Sequence, residues 1–314
     1  MTTAVRDGAT GVLPHLVDPA VLSRIGDLEL IARGVVDGFI SGLHRSPHLG
    51  LSTDFAEHRP YAPGDDIRRV DWRLMGRTDR YYVKEFEADT NAAVTVLMDV
   101  SRSMDYGSAG MTKLEYARML AACVLYFSRR QRDRVGLALF DDKLVDVVPP
   151  SARHLSQVLY SLASARAGRP GSLGAPLRSY AAAHPRRAIL IVISDLYEEP
   201  EEVMQALHAL RGRGSEIVMW HVLDPAELDF PFQDAASFQD MEGEEVMPAV
   251  PSQLRERYRA LLAEHTATLA HRIGAAGMDY QLFDTRRPLG EALHTYLATR
   301  ERLADRRGAP RGRG

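Results

Sequence analysis

The chain has 314 residues, 45% hydrophobic and 26% charged, with a net charge of −3. That balance can fill one large core or two modest ones, and it supplies no global basic field for nucleic acid. One cysteine, Cys123, excludes a disulfide within the chain and argues against a Cys-based zinc site. No apolar run reaches the ~18 to 20 residues that span a bilayer, and residues 1–14 lack the basic start and apolar block of a signal peptide, so the expectation is a soluble, cytoplasmic protein.

Residues 1–20 read as a frayed terminus. Over 19–42, Leu22, Ile25, Leu28, Leu30, Ile31, Val35 and Phe39 recur at three- and four-residue steps, which predicts a helix beginning at Asp18 and Pro19. Residues 43–91 are dense in Arg, Asp and Glu with interleaved aromatics, broken by Pro60, Pro63 and Gly64; only 81–87 alternates enough for a strand. Together, 21–91 form an N-terminal extension.

From Ala93 the pattern becomes α/β alternation. Strands are predicted up to Asp99, over 134–140, 144–148, 188–194, 217–223 and 279–283, and helices over 113–130, 154–163, 177–183, 201–211, 252–275 and 289–303. The strand at 188–194, with I-L-I-V-I at its centre, reads as buried on both faces. Residues 224–250, acidic and Pro-containing, are expected to be a long ordered loop with a hairpin. The Arg/Gly-rich stretch 304–314 reads as a disordered tail. The fold class that follows is a doubly wound, mostly parallel α/β sheet over 92–303, with helices on both faces. One antiparallel pair, turning through Asp141, Asp142 and Lys143, belongs at its edge.

The chemistry concentrates where the first strand ends. Asp99, Ser101 and Ser103 offer one carboxylate and two hydroxyls at alternate positions. A turn leaving a parallel strand can aim all three oxygens at one point, a set suited to a hard divalent cation such as Mg²⁺ or Mn²⁺. The plainer reading of the same residues is a Ser-rich loop capping the next helix. Asp195 follows the 188–194 strand, so a parallel sheet brings it close to Asp99, and two carboxylates at short range call for a cation or proton between them.

These residues resemble a von Willebrand factor type A domain with its metal-ion-dependent adhesion site. Asp99, Ser101 and Ser103 match the family's Asp-x-Ser-x-Ser loop, and Asp195 matches its late Asp. The middle loop departs: where the family has Gly-Thr-x-Leu, this chain has Pro170-Gly171-Ser172-Leu173. Aligning Leu173 puts Gly171 at the Thr position, with Ser172 one place away as a substitute ligand. The run from Glu57 to Trp72, E-H-R-P-Y-A-P-G-D-D-I-R-R-V-D-W, is similar to the signature of the bacterial domain of unknown function 58, as are Tyr82 to Glu87 and His221 to Pro225. That resemblance implies a von Willebrand A-type domain with an N-terminal extension, commonly paired with a MoxR-type AAA+ ATPase in chaperone-like remodelling or cofactor insertion.

Arg59, Arg68, Arg69, Trp72 and Arg73 are candidates for a partner-docking face, since Arg and aromatics favour interface centres; the alternative is a surface segment that pairs its charges with Asp65, Asp66 and Asp71. Enzyme readings find less support. A phosphoaspartyl phosphatase wants a second Asp where Ser101 stands, no Gly-x-Ser-x-Gly elbow surrounds Ser101, and no Gly-x-x-x-x-Gly-Lys loop exists. The expectation is a non-enzymatic protein-interaction module that binds a divalent cation. The alternatives are a Mg²⁺-dependent phosphoester hydrolase using Asp99 and a scaffold that binds no metal.

Overall fold

The computed structural model describes residues 19–22, 26–45, 58–60, 75, 81–84, 92–108, 110–212, 214–233, 236–239 and 246–308. A six-stranded sheet lies at its centre. Its members are β3 (Ala93–Asp99), β4 (Arg134–Phe140), β5 (Leu144–Ser151), β6 (Ile189–Ser194), β7 (Glu216–Leu223) and β10 (Asp279–Asp284). The spatial order is β10-β7-β6-β3-β4-β5, all parallel except β5, which pairs antiparallel with β4 at the edge. Both the mostly parallel sheet and the antiparallel edge are as expected. The β5 strand continues past the predicted end through Pro149 and Pro150, which an edge strand tolerates because its outer N–H groups have no ladder to serve.

β3 and β6 are buried at every position. Alternate side chains therefore serve two cores, as strands covered on both faces require. Val94, Val96 and Met98 of β3 join the larger core with α2 (Leu28–Arg45), α3 (Lys113–Arg130), α4 (Leu155–Ser164) and α9 (Leu289–Gly308). Leu97 faces the other core, closed by α5 (Gly174–Ala183), α6 (Pro200–Arg211) and α8 (Pro251–Ala275). The chain runs outward from β3 to β5, then returns to β6 and runs outward the other way. The carboxyl ends of β3 and β6 thus flank the point where the order reverses, the place where open α/β sheets bind ligands.

The helix expected over 19–42 is divided into α1 (Pro19–Leu22) and α2. Gly26 takes a left-handed φ of 73°, and Asp27 caps α2 by accepting from the Glu29 and Leu30 amides at 2.9 and 3.2 Å. Ile31, Ala32, Val35, Val36 and Phe39 of α2 belong to the larger core, so this part of the extension is built into the sheet's cover. Two short pairs accompany the main sheet, β1 (His58–Pro60) with β2 (Tyr82–Lys84), and β8 (Ala236–Gln239) with β9 (Val246–Ala249). The latter is the hairpin expected within 224–250. A short helix, α7 (Pro225–Asp229), precedes it. The final helix runs to Gly308, beyond the predicted end at residue 303, because no Gly or Pro interrupts it after Gly290. Near its end Arg300 pairs with the buried Asp133, whose other oxygen accepts from the Ala92 amide at 3.1 Å. Beside that pair Tyr296 and Ser128 share a hydrogen bond of 2.8 Å. Among the described residues no helix is long and apolar enough to cross a membrane.

Candidate functional site

Asp99 is the last residue of β3, and the chain leaves it through a 3-10 turn, Arg102–Asp105. One oxygen of Asp99, Oδ1, accepts from the Ser101 amide at 2.8 Å, closing an Asx-type turn that folds the serine loop back over the strand end. The other, Oδ2, accepts from the Ser194 hydroxyl at 2.7 Å. The Ser101 and Ser103 hydroxyls lie 3.1 Å apart. Asp99, Ser101, Ser103 and Asp195 are all buried. Burial, with the Asp195 charge added, pushes the Asp99 carboxyl up to about 7, against hydrogen bonds from Ser194 and Ser101 that pull it down. Asp195, one residue past the end of β6, stands close enough for its charge to act on Asp99.

The middle loop is arranged differently. Ser172 is exposed, and its amide donates to the Asp141 carbonyl at 3.3 Å. The residue against the serine loop is Gly171: a Cβ built there would come within 2.5 Å of Ser101 Cβ and 3.0 Å of its Oγ. Real contacts never reach 2.5 Å, so only glycine lets this loop approach Ser101. Close approach is sealed by backbone, with the Arg102 amide donating to the Arg169 carbonyl at 2.8 Å. Of the docking candidates, Arg59 lies on β1 opposite Val83, while Arg68, Arg69, Trp72 and Arg73 fall outside the described residues.

Sequence reasoning missed the group that dominates the other half of the site. Lys113, the first residue of α3, is wholly buried, and its Nζ donates to Asp195 Oδ2 at 2.7 Å and to Glu227 Oε1 at 2.6 Å. Burial alone would lower its pKa; the charges of Asp195 and Glu227 and their hydrogen bonds outweigh this and raise it, so the ammonium stays charged. The Tyr197 and Tyr106 rings lie 5.0 and 5.9 Å from Nζ, adding cation–π attraction in a dry setting. A cation in the first turn of a helix opposes the helix dipole, and that misfit was the available signal that Lys113 has carboxylate partners.

Two further residues hold the strand ends. Asp224 caps α7 in a capping box with Glu227, accepting from the Ala226 amide at 2.8 Å, and it also accepts from the Ser108 amide at 2.9 Å and from the Ser108 hydroxyl. The turn after β7 is thereby tied to the serine loop. The box is legible in the sequence as Asp224-Pro225-Ala226-Glu227. His221 is buried with Nε2 2.7 Å from the Asp195 carbonyl and Nδ1 2.8 Å from the Tyr280 hydroxyl. Burial lowers its pKa to about 4. The neutral ring can donate from Nε2 to the carbonyl while Nδ1 accepts from Tyr280. The next carbonyl, Leu196, accepts from His265 Nε2 at 2.8 Å, and Leu196 sits at a φ of 48°, so the bend carrying Asp195 is gripped from two sides.

Two halves differ in how they suit a metal ion. On the Asp99 side, one carboxylate and two hydroxyls converge beside a second carboxylate, with no cation of the chain on Asp99 itself among the described residues; this donor chemistry fits a hard divalent ion. On the Asp195 side, Lys113 already supplies the positive charge. Among the described residues no group of three or more His, Cys, Asp or Glu is arranged to hold a metal, so any ion here rests on the serine hydroxyls.

This architecture, a sheet of this order with an Asp-x-Ser-x-Ser loop at its reversal point, defines a von Willebrand factor A-like domain. A family model described as "Protein of unknown function DUF58" matches residues 57–268, and the chain belongs to that family. It is 28% identical over 293 residues to an uncharacterized protein of Mycobacterium tuberculosis, a match covering 91% of this chain and 92% of that one. Among solved structures it is similar to the conserved hypothetical protein BatB from Bacteroides thetaiotaomicron, at 18% identity and a TM-score of 0.44, over 66% of this chain and 97% of that chain. It is also similar to the SpRpn10 VWA domain, at 12% identity and a TM-score of 0.39, over 65% of this chain and 94% of that chain.

Proposed function

We propose that the chain is a non-enzymatic protein-interaction module whose docking point is the Asp99 loop. The observation that carries this reading is the convergence of Asp99, Ser101 and Ser103 at the reversal point of the sheet, beside an Asp195 whose charge Asp99 feels. Asp99, Ser101 and Ser103 would hold a Mg²⁺ or Mn²⁺ ion directly, and Asp195 would act through a water. Ser172, exposed on the neighbouring loop, would contribute only after that loop rearranged. A hard divalent ion bound there would supply an electrophilic point for a partner's carboxylate. The chain's own residues do the rest: Gly171 lets the middle loop close on Ser101, while His221 and His265 hold the backbone that carries Asp195. The partner we propose is a MoxR-type AAA+ ATPase, in a chaperone-like or cofactor-inserting assembly. It rests on the family resemblance alone.

A pull-down from the native cytosol in Mg²⁺ and in EDTA tests the reading. Retention of an AAA+ ATPase in Mg²⁺, lost in EDTA and lost with Asp99→Asn, is the expected result. Equal retention in both buffers would favour a scaffold that uses no metal, a second reading supported by the buried Lys113 at Asp195. Magnesium-dependent turnover of a phosphoester, abolished by Asp99→Asn, would overturn both.

A further inference from the structure

The carboxyl edge of the sheet carries two walls of different character around the Asp99 loop. One is apolar. α8 has 25 residues, about 37 Å at 1.5 Å per residue, while the six residues of β6 span about 20 Å. The last turns of α8 are anchored in the second core through Leu269 and Ile273. His265 reaches the end of β6 at the Leu196 carbonyl, so the turns before it overhang the sheet. Residues 254, 258, 261 and 265 fall on one helical face. Tyr258 of that face packs on Phe230 with ring centres 4.6 Å apart, yet Leu254 and Leu261 are 38% and 57% exposed. Tyr197, two residues after Asp195, and Val250, just before α8, continue this ridge at 47% and 45% exposure.

The opposite wall is cationic. Arg102 follows Ser101 directly, and Arg169 bridges to Ser101 through its backbone. Both side chains are exposed, and neither has an ion-pair partner among the described residues. Lys143 and Arg166 are exposed on the same rim, against two exposed acids there, Asp105 and Asp142. An exposed Glu199 stands toward the apolar wall.

We infer that this edge is a two-sided docking surface for a protein segment that carries acidic residues next to large apolar ones, the acids meeting Arg102 and Arg169 and the apolar side chains meeting Tyr197, Leu254 and Leu261. Exposed guanidinium groups with no ion-pair partner among the described residues are suited to carboxylates through forked hydrogen bonds. An exposed aromatic and leucine ridge beside them supplies the apolar contact that such a segment needs. The inference deepens the proposed function by naming the chemistry of the partner, and it rests on reading this edge as the docking face; it does not require the metal.

The test is selection of randomised 12-residue peptides on the full chain, in Mg²⁺ and in EDTA, followed by fluorescence polarisation with the enriched peptides. Enriched sequences should combine Asp or Glu with Leu, Ile or Phe. Arg102→Glu with Arg169→Glu should weaken binding at least about tenfold, and Leu254→Ser with Leu261→Ser by about fivefold or more. Arg153→Glu, exposed at the opposite edge, should leave it unchanged. All these positions are exposed, and an unchanged melting temperature confirms that the variants fold. Peptides that bind in EDTA and respond to the arginine reversal support the inference while removing the metal reading. Binding lost in EDTA but indifferent to the arginine reversal overturns the inference and leaves the metal reading standing. Enrichment of basic or wholly apolar peptides, or of none, also overturns it.

Discussion

Replacing Lys113 with Met removes one charge and little volume, since the thioether occupies most of the space of the lysine stem. What remains is Asp195 and Glu227, with side chains 5% and 12% exposed and no cation between them. Removing one partner of a buried ion pair costs about 3–5 kcal/mol, because the survivor's charge is left in a dry site. For a unit of this size each kcal/mol lowers Tm by about 2–4 °C, so Lys113→Met should melt about 6–20 °C below the parent by circular dichroism. The loss should shrink as pH falls from 7 toward 5. Burial raises the Glu227 carboxyl and Lys113 is what chiefly opposes that rise, so without the lysine Glu227 holds its proton more tightly in the fold, and such a group gains stability as pH falls. Adding Asp195→Asn and Glu227→Gln should recover most of the loss, because a charge-free cluster has nothing to desolvate. A single variant within about 1 kcal/mol of the parent, or a triple variant no better than the single, would refute Lys113 as the buried counter-ion.

Asp99, held at about 7 in the fold against an ordinary 3.8, costs stability above pH 7 and costs progressively less as pH falls toward 4. In EDTA, Asp99→Asn should therefore melt higher than the parent at pH 8, with the gap closing by pH 5. For Gly171→Thr, the 2.5 Å approach to Ser101 Cβ predicts a loss of about 1–3 kcal/mol in urea unfolding, and a neutral result would mean that the loop has room to retreat. His221→Leu strands the Asp195 carbonyl and the Tyr280 hydroxyl and should cost about 2–4 kcal/mol. Because the His221 pKa is lowered to about 4 from 6.5, its neutral ring favours folding above pH 6.5. That contribution fades as pH falls through 4, so the penalty of His221→Leu should be smaller at pH 4.5 than at pH 7.5.

The strands were the most legible part of the fold. β3, apolar but for Thr95 up to Asp99, and β6, apolar up to Ser194 and followed by Asp195, announce themselves as buried strands, and a parallel sheet brings such ends together on geometric grounds alone. Gly171 was legible only as a departure from a motif; its reason, contact with Ser101, depends on how two loops meet. Lys113 was hidden for a different cause. Lysine is almost never fully buried, and its partners lie 82 and 114 residues away in sequence. The split between α1 and α2 was missed because apolar spacing persists across Gly26, although Gly26-Asp27 is a stop followed by a cap. β1 carries no side-chain pattern at all over its three residues, and is defined by its pairing with β2.

The clasp between Arg300, Asp133 and the Ala92 amide sits where β3 and β4 begin, so the last helix is fastened to the back of the sheet, a full strand length from the Asp99 loop. A tether attached after this helix would hold the molecule by its far side. Immobilised that way on a sensor surface, it would stand with Asp99, Tyr197 and the overhanging turns of α8 turned toward solution.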